Sequence, residues 1–486
     1  MTLSKLMENV AVLEWHADPD LPIRAVSSDS RKITEGSAFV ALKGLKVDGV
    51  TWVPAAHAAG AAVSVCQSRP EGDVPYVLVA DTRAALPLIL ANFYSHPEKS
   101  FGRIIGITGT NGKTTTSFML KAIFEKAGHK TGLIGTTKYL VGDEEYPVDA
   151  KAAFLTTPDP ELLYELFDAM RTAGVDTVIM ETSSHALALN KLAGIRFDVG
   201  IFTNLTRDHI DFHQTMEEYL QAKKKLFSVS ELGILNQDDP AYQEMSRDVP
   251  CRTVSYSASS EKADYACEEI FSHDPHGIQY LMRTPLGREE LFLPIPGSFN
   301  IYNSLAAASC AAECGIPLPI VSSALAGMEG VKGRIERIPT KTPYSVFIDF
   351  AHTPDALENI LSTLRGFTKG RLITLFGCGG DRDRTKRPIM GRIACEKSDF
   401  VIVTSDNSRT EEKSAIITDI LAGMQDVKTE YVTIENRTEA IHFALDNARE
   451  GDVILLAGKG HEEYEIDKTG KHDYSERKIV LEYIGE

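Results

Sequence analysis

The chain has 486 residues, too long for one ordinary core, so about three domains are expected. Its 43% hydrophobic and 24% charged content is that of a globular protein in water. A formal net charge of −17 argues against a nucleic-acid coat or a general membrane-surface role, though local clusters can still hold anions. No apolar run is long enough to span a bilayer. The first residues, Met1-Thr-Leu-Ser-Lys-Leu-Met, lack the apolar core of a signal peptide. The seven cysteines are scattered, with no histidine cluster near Cys310 and Cys314, so free buried thiols and a cytoplasmic location are expected.

Residues 1–98 mix short apolar strands (around Ala38–Leu42, Ala61–Val65 and Tyr76–Val79) with a helix from Ala84 to Tyr94. A polar break at Ser95–Ser100 precedes a second block, 99–333. That block opens on an apolar strand, Arg103–Ile107, then Gly109-Thr110-Asn111-Gly112-Lys113-Thr114-Thr115, then a helix from Thr114 to Ala127. Strand, glycine turn, Lys-Thr and helix form the layout of a loop that cradles nucleotide phosphates. Gly109 and Gly112 let backbone N–H groups approach phosphate oxygens, Lys113 offers a point charge, and the Thr114 hydroxyl can ligate Mg²⁺. The match to G-x-x-x-x-G-K-[ST] is imperfect, because position 107 is Ile107 and the nearest glycine, Gly106, is one residue early.

Further along, Glu181 follows a strand at Thr177–Met180, and suits either a metal or a lysine partner. The loop from Thr203 to His213 after a strand at Val199–Phe202 holds two Asp and two His; a hydrated Mg²⁺ with one His contact fits better than zinc. A helix then runs from Met216 to Phe227. Lys223 shares its face with Tyr219 and Phe227, so it is the lysine expected to point inward, where it must be paired, neutralised or modified, or else snorkel to water. In the third block, 334–486, apolar strands at Ser345–Asp349, Leu372–Phe376, Phe400–Thr404 and Val453–Ala457 alternate with helices. The fold class is therefore α/β, with a central P-loop parallel sheet and a C-terminal Rossmann-like domain. Strand ends there carry Arg382, then Asp406, Asn407, Ser408 and Arg409, then Gly458 and Glu462. Guanidiniums for carboxylate and acids for ammonium suit a zwitterion.

The phosphate loop, Glu181 with Ser183-Ser184-His185, Thr203-Asn204 to His209, Gly297-Ser-Phe-Asn-Ile-Tyr-Asn303, Gly333-Arg334 and Asp349-Phe-Ala-His352 together resemble the Mur ligase family, in order along nearly the whole chain. Ser28-Asp29-Ser30-Arg31, Thr156-Thr157-Pro158-Asp159 and the motifs of the third block resemble the branch that adds a diamino acid to UDP-MurNAc-L-Ala-D-Glu. The early glycine then reads as a family variant of the loop. The resemblance implies an ATP-dependent amide ligase of peptidoglycan precursor synthesis that works through an acyl phosphate. Residues 1–98 would bind the UDP-sugar, 99–333 ATP, and 334–486 the amino acid. Lys113, Glu181, His209 and Lys223 would be catalytic. Lys223 would be carbamylated by CO₂, and Thr114, Glu181, His209 and the carbamate would hold Mg²⁺. Asn300, Asn303, Arg334 and Asp349 would join Gly109 to Thr115 at the nucleotide. Ser28, Ser30, Thr156, Thr157, Ser183 and Lys191 would hold the UDP-sugar peptide, with Leu189 and Lys191 standing where relatives carry Gln and Arg. Asp406-Asn407-Ser408-Arg409 departs from the usual Asp-Asn-Pro-Arg of members that add meso-diaminopimelate. The retained arginine favours that acceptor over lysine, ornithine or another diamino acid. A monomer without nucleic-acid or membrane partners is expected. The rival readings are a folate polyglutamate ligase and a regulatory P-loop ATPase.

Overall fold

A computed structural model describes residues 1–44, 47–148, 155–274 and 276–485. Each of the three blocks is built on its own α/β sheet. The first has five strands in the order Val12–His16, Tyr76–Val79, Ala61–Cys66, Ser37–Val40 and Ala25–Ser27. It is parallel except where Val12–His16 runs against Tyr76–Val79.

The second sheet has eleven strands. At its centre lies β1 (Arg103–Thr108), flanked by β2 (Thr177–Glu181) and β3 (Phe197–Phe202), all parallel. The β1 sequence is apolar at nearly every position because both faces are covered. Ile105 and Ile107 pack on one side with Met119, Leu120, Ile123 and Phe124 of α1 (Lys113–Lys126). Ile104 points the other way, into a core with Phe167, Met170 and Phe197. Burying each such side chain contributes about 1.5–3 kcal/mol. Within the same sheet, antiparallel hairpins extend both ends, Tyr265–Asp274, Gly277–Thr284 and Gly287–Leu293 on one side and Tyr139–Val141 with Glu144–Glu145 on the other. The helix expected from Met216 to Phe227 is α-helical only over α2 (Met216–Lys224) and tightens into a 3₁₀ turn at Lys225–Ser228. Beyond it, α3 (Phe299–Glu313) is alanine-rich, and its small side chains let it lie close against α1.

The third sheet places β4 (Ser345–Asp349) beside β7 (Val453–Ala457), then β5 (Leu372–Phe376), β6 (Phe400–Val403) and Glu430–Thr433, all parallel. Glu336–Ile338 closes one edge antiparallel to β4. Two further helices, α4 (Arg437–Asn447) and α5 (Glu476–Ile484), cover one face. The carboxyl ends of β4, β5, β6 and β7 therefore emerge on one edge, where ligands bind in open parallel sheets. No helix among the described residues is long and apolar enough to cross a membrane.

Candidate active site

The loop between β1 and α1 is held by the segment after β3. Asn111 N donates to Asn204 Oδ1 at 2.8 Å, Thr110 N to Asn204 O at 2.9 Å, and Thr203 Oγ1 to Asn111 O at 2.7 Å. This close approach is why position 109 is glycine: a Cβ there would lie 1.8 Å from Thr203 Oγ1. Gly106 has a different job from the one its sequence position suggests. It sits inside β1, where a Cβ would meet Phe197 and Leu226 at 2.8–2.9 Å. It is a packing glycine of the strand and not a member of the phosphate loop.

Lys113 begins α1 and donates from Nζ to Gly109 O at 2.8 Å and Thr110 O at 2.9 Å, so that among the described residues one of its three donors has no partner. Lys223 reaches the same Gly109 carbonyl at 2.8 Å, with its ammonium 4.3 Å from the centre of the Tyr219 ring. Burial, and then the Lys113 charge, hold the Lys223 amine well below the usual lysine range.

Glu181 ends β2 fully buried. Its oxygens accept from Thr114 Oγ1 at 3.2 Å, Thr136 N at 3.0 Å and Thr136 Oγ1 at 2.9 Å. Arg334 Nη2 donates to Thr114 Oγ1 at 3.1 Å, which ties the third block to the phosphate loop. Burial pushes the nearby Asp349 carboxyl up, and its Oδ2 accepts from Ile335 N at 2.7 Å. Asn303 Nδ2 donates to Asn300 Oδ1 at 2.9 Å, while Asn303 Oδ1 faces Gly112, where a Cβ would lie 2.3 Å away. Thr115 is buried just inside α1 and lines the same space. Thr114 and Glu181 offer the hard oxygens that Mg²⁺ prefers. His209 is less closely tied to them: its backbone is left-handed (φ 55°) and its ring lies 3.4 Å from Asp208 and 4.8 Å from the His185 ring. Among the described residues no three His, Cys, Asp or Glu side chains gather as a ready-made metal cluster.

Asp208 is a hub whose role the spacing within its loop does not foretell. His209 N donates to it at 2.9 Å, and His352 Nε2 and Lys386 Nζ, both from the third block, stand 3.9 Å away. Burial pushes its carboxyl up, but His209, Lys386 and His352 outweigh this and hold it below the usual range. Asn111 Nδ2 likewise crosses to Asp355 Oδ2 at 2.9 Å.

At the edge of the third sheet, Asn407 Nδ2 donates to Glu462 Oε2 at 2.8 Å, and Asn407 Oδ1 accepts from Ile466 N at 2.9 Å and Lys459 Nζ at 3.1 Å. Burial and neighbouring Asp406 push the Glu462 carboxyl up to about 6. Gly458 leaves room for Asp406, whose Oδ2 would stand 2.7 Å from a Cβ there. Arg409 Nη1 donates to Gly380 O at 2.8 Å. Among the described residues, neither Arg409 nor Arg382 has a carboxylate within 4.0 Å. Two guanidiniums without carboxylates, beside two acids, are a complement for a zwitterion. Ser408 is buried beneath them.

One cavity of about 580 Å³ joins these parts. It is lined by Lys113, Thr114, Glu181, His209 and Arg334 at one end and by Arg382, Asp406, Arg409 and Glu462 at the other. Gly109, Lys223 and Ser408 are not among its lining residues. Thr156 lines it, bonded to Thr136 at 2.9 Å. The remaining residues expected at the UDP-sugar peptide are not among its lining residues. Thr157 Oγ1 donates to Glu181 O at 2.8 Å and accepts from Ser183 N at 2.8 Å, and Lys191 Nζ meets Asp159 at 2.7 Å. Ser28 N donates to Glu161, two residues further on, and Ser30 opens a short turn capped by Asp29.

Known proteins resemble this chain over its whole length. The Mur ligase family catalytic domain matches residues 22–94, the Mur ligase middle domain 107–311, and the Mur ligase glutamate ligase domain 333–460. The chain is 44% identical to a UDP-N-acetylmuramoyl-L-alanyl-D-glutamate–2,6-diaminopimelate ligase of Clostridium perfringens, covering 100% of this chain and 99% of that one. It is 41% identical to the protein of the same name from Bacillus licheniformis, again over 100% and 99%. A solved structure of a ligase with that name superposes with a TM-score of 0.70 at 28% identity, covering 100% of this chain and 99% of the other. A folylpolyglutamate synthase of Mycobacterium tuberculosis shares only the fold, with a TM-score of 0.63 at 19% identity over 78% of this chain. The chain belongs to the Mur ligase family.

Proposed function

We propose that the protein joins the γ-carboxylate of D-glutamate in UDP-MurNAc-L-Ala-D-Glu to an amine of meso-diaminopimelate, using ATP, in the cytoplasm and as a monomer. The observation that carries this reading is the single cavity linking the phosphate loop to Arg382, Arg409 and Glu462. A carboxylate is a poor electrophile. Transfer of the terminal phosphoryl group of ATP to it gives an acyl phosphate, and attack by the amine then releases phosphate. Lys113 and the N-terminus of α1 face the phosphates, Asn300, Asn303 and Asp349 the rest of the nucleotide, and Arg334 screens charge beside Thr114. Thr114 and Glu181, with His209, would hold Mg²⁺, which when bound neutralises the phosphate oxygens. Lys223 is the residue for a CO₂-derived carbamate, since its burial favours the neutral amine whose nitrogen attacks the carbon of CO₂ and then gives up a proton. Ser28, Ser30, Thr156, Thr157, Ser183 and Lys191 would hold the UDP-sugar peptide, with unit boundaries near residues 98 and 333. The guanidiniums of Arg382 and Arg409 would hold the distal carboxylate of the acceptor, a group that lysine and ornithine lack, and Asp406 and Glu462 would face its ammonium.

The test is phosphate release from ATP with each substrate omitted in turn. Release that requires both UDP-MurNAc-L-Ala-D-Glu and the amine supports the reading. Equal release from ATP alone would place the protein among hydrolytic ATPases.

A further inference from the structure

Arg437 and Arg387 are the largest charged side chains fully buried among the described residues of the third unit, and the chemistry above uses neither; Arg437 is the one that holds the acceptor loops. It starts α4, and only 1% of its side chain is exposed. Nη2 donates to Ala457 O at 2.8 Å, the last residue of β7 and the one before Gly458. Nη1 donates to Ser405 O at 3.1 Å, the residue before Asp406, and stands 3.9 Å from Asp406 Oδ2. Nε donates to Glu476 Oε1 at 2.8 Å, at the start of α5, and that carboxylate is itself 2% exposed. One planar fork thus holds the two strand ends from which the Asp406–Arg409 and Gly458–Glu462 loops depart, and one carboxylate holds the fork.

We propose that Arg437 is a positioning residue for the diamino-acid site, anchored by Glu476, so that α5 forms part of the acceptor-binding apparatus. The inference rests on the reading of that edge as the acceptor site. The fork geometry is the reason for arginine here. A lysine ammonium has no planar array with which to reach Ala457 O, Ser405 O and Glu476 together. Burial opposes the charge on Arg437, and Glu476 and Asp406 outweigh that burial, so the guanidinium stays charged beneath the loops. Truncating one member of a buried pair strands the other, so conservative replacements are the informative ones. Arg437→Lys keeps the charge and loses the fork. Glu476→Gln keeps an oxygen for Nε and loses the countercharge.

Steady-state kinetics on the full chain, with each substrate varied in turn, tests this. The expected result is a KM for diaminopimelate raised about tenfold or more in both variants, with KM for ATP and for UDP-MurNAc-L-Ala-D-Glu within about twofold of the parent. An acceptor KM that stays within about twofold in both variants overturns the inference, as does a parallel rise in all three KM values, which marks general loosening. If Arg437→Lys fails to fold, Glu476→Gln decides alone. A parent enzyme that does not turn over diaminopimelate at all refutes the acceptor-site reading instead, so the two failures are told apart.

Discussion

At the residue scale, the direction of Lys223 was legible from the sequence, because helical spacing put it on the face of Tyr219 and Phe227 and the structure buries it there. Its shared acceptor with Lys113 was not legible, since Gly109 lies 114 positions away. Replacing Lys223 by Ala is expected to abolish ligation, and gentle mass spectrometry under CO₂ should find one added CO₂ on the peptide that contains it. An unmodified peptide together with a fully active Lys223→Ala protein would refute the carbamate. Glu462 gives a pH prediction. Its raised pKa, about 6, means that the carboxylate facing the ammonium is present above that pH and is lost as pH falls through it. The KM for the diamino acid should therefore rise below about pH 6, and the Glu462→Gln protein should have a high KM that lacks this step. Ser408 stands where the resembling motif, Asp-Asn-Pro-Arg, would have proline. Its amide makes no hydrogen bond among the described residues, so Ser408→Pro should leave kcat intact and hold or lower the acceptor KM by stiffening the loop. A collapse of activity would show that the serine is needed. Arg437 was invisible at this scale, because a lone arginine at a helix start carries no motif and only the tertiary contacts give it a role.

Among the elements, the parallel strands were the most legible, since buried runs such as Ser345–Asp349 and Val453–Ala457 have the same limits in sequence and structure. The hairpins from Tyr265 to Leu293 were missed. Their partly exposed strands, with Glu268-Glu269 and Arg288-Glu289-Glu290, break the apolar signal. The two glycines of β1 and its loop give opposite expectations. Gly106→Ala should press on Phe197 and Leu226 and lower stability by about 1–3 kcal/mol, with KM for ATP unchanged in the folded protein. Gly109→Ala should displace Thr203 from the phosphate loop and remove nucleotide turnover in the folded protein. Thermal unfolding and ATP kinetics on both proteins separate the two roles; the reverse pattern would return Gly106 to the loop.

For the whole molecule, the feature that matters is the set of contacts that joins the third unit to the second around the cavity. Arg334 to Thr114, Asn111 to Asp355, and Asp208 with His352 and Lys386 all cross that boundary. None was legible as a pair, since the partners are 220 and 244 positions apart in the first two cases and sequence periodicity reports only near neighbours. Asp355→Ala should lower kcat/KM for ATP by about tenfold while the unfolding temperature moves little, because the lost bond steadies the phosphate loop and not a core. The central claim is that this shared cavity makes a diamino-acid amide. Its most direct test is product mass and kcat/KM with ATP, UDP-MurNAc-L-Ala-D-Glu and equal concentrations of meso-diaminopimelate, lysine and ornithine. The account predicts a tripeptide product with diaminopimelate at the highest kcat/KM. A kcat/KM for lysine equal to or above that value would contradict it.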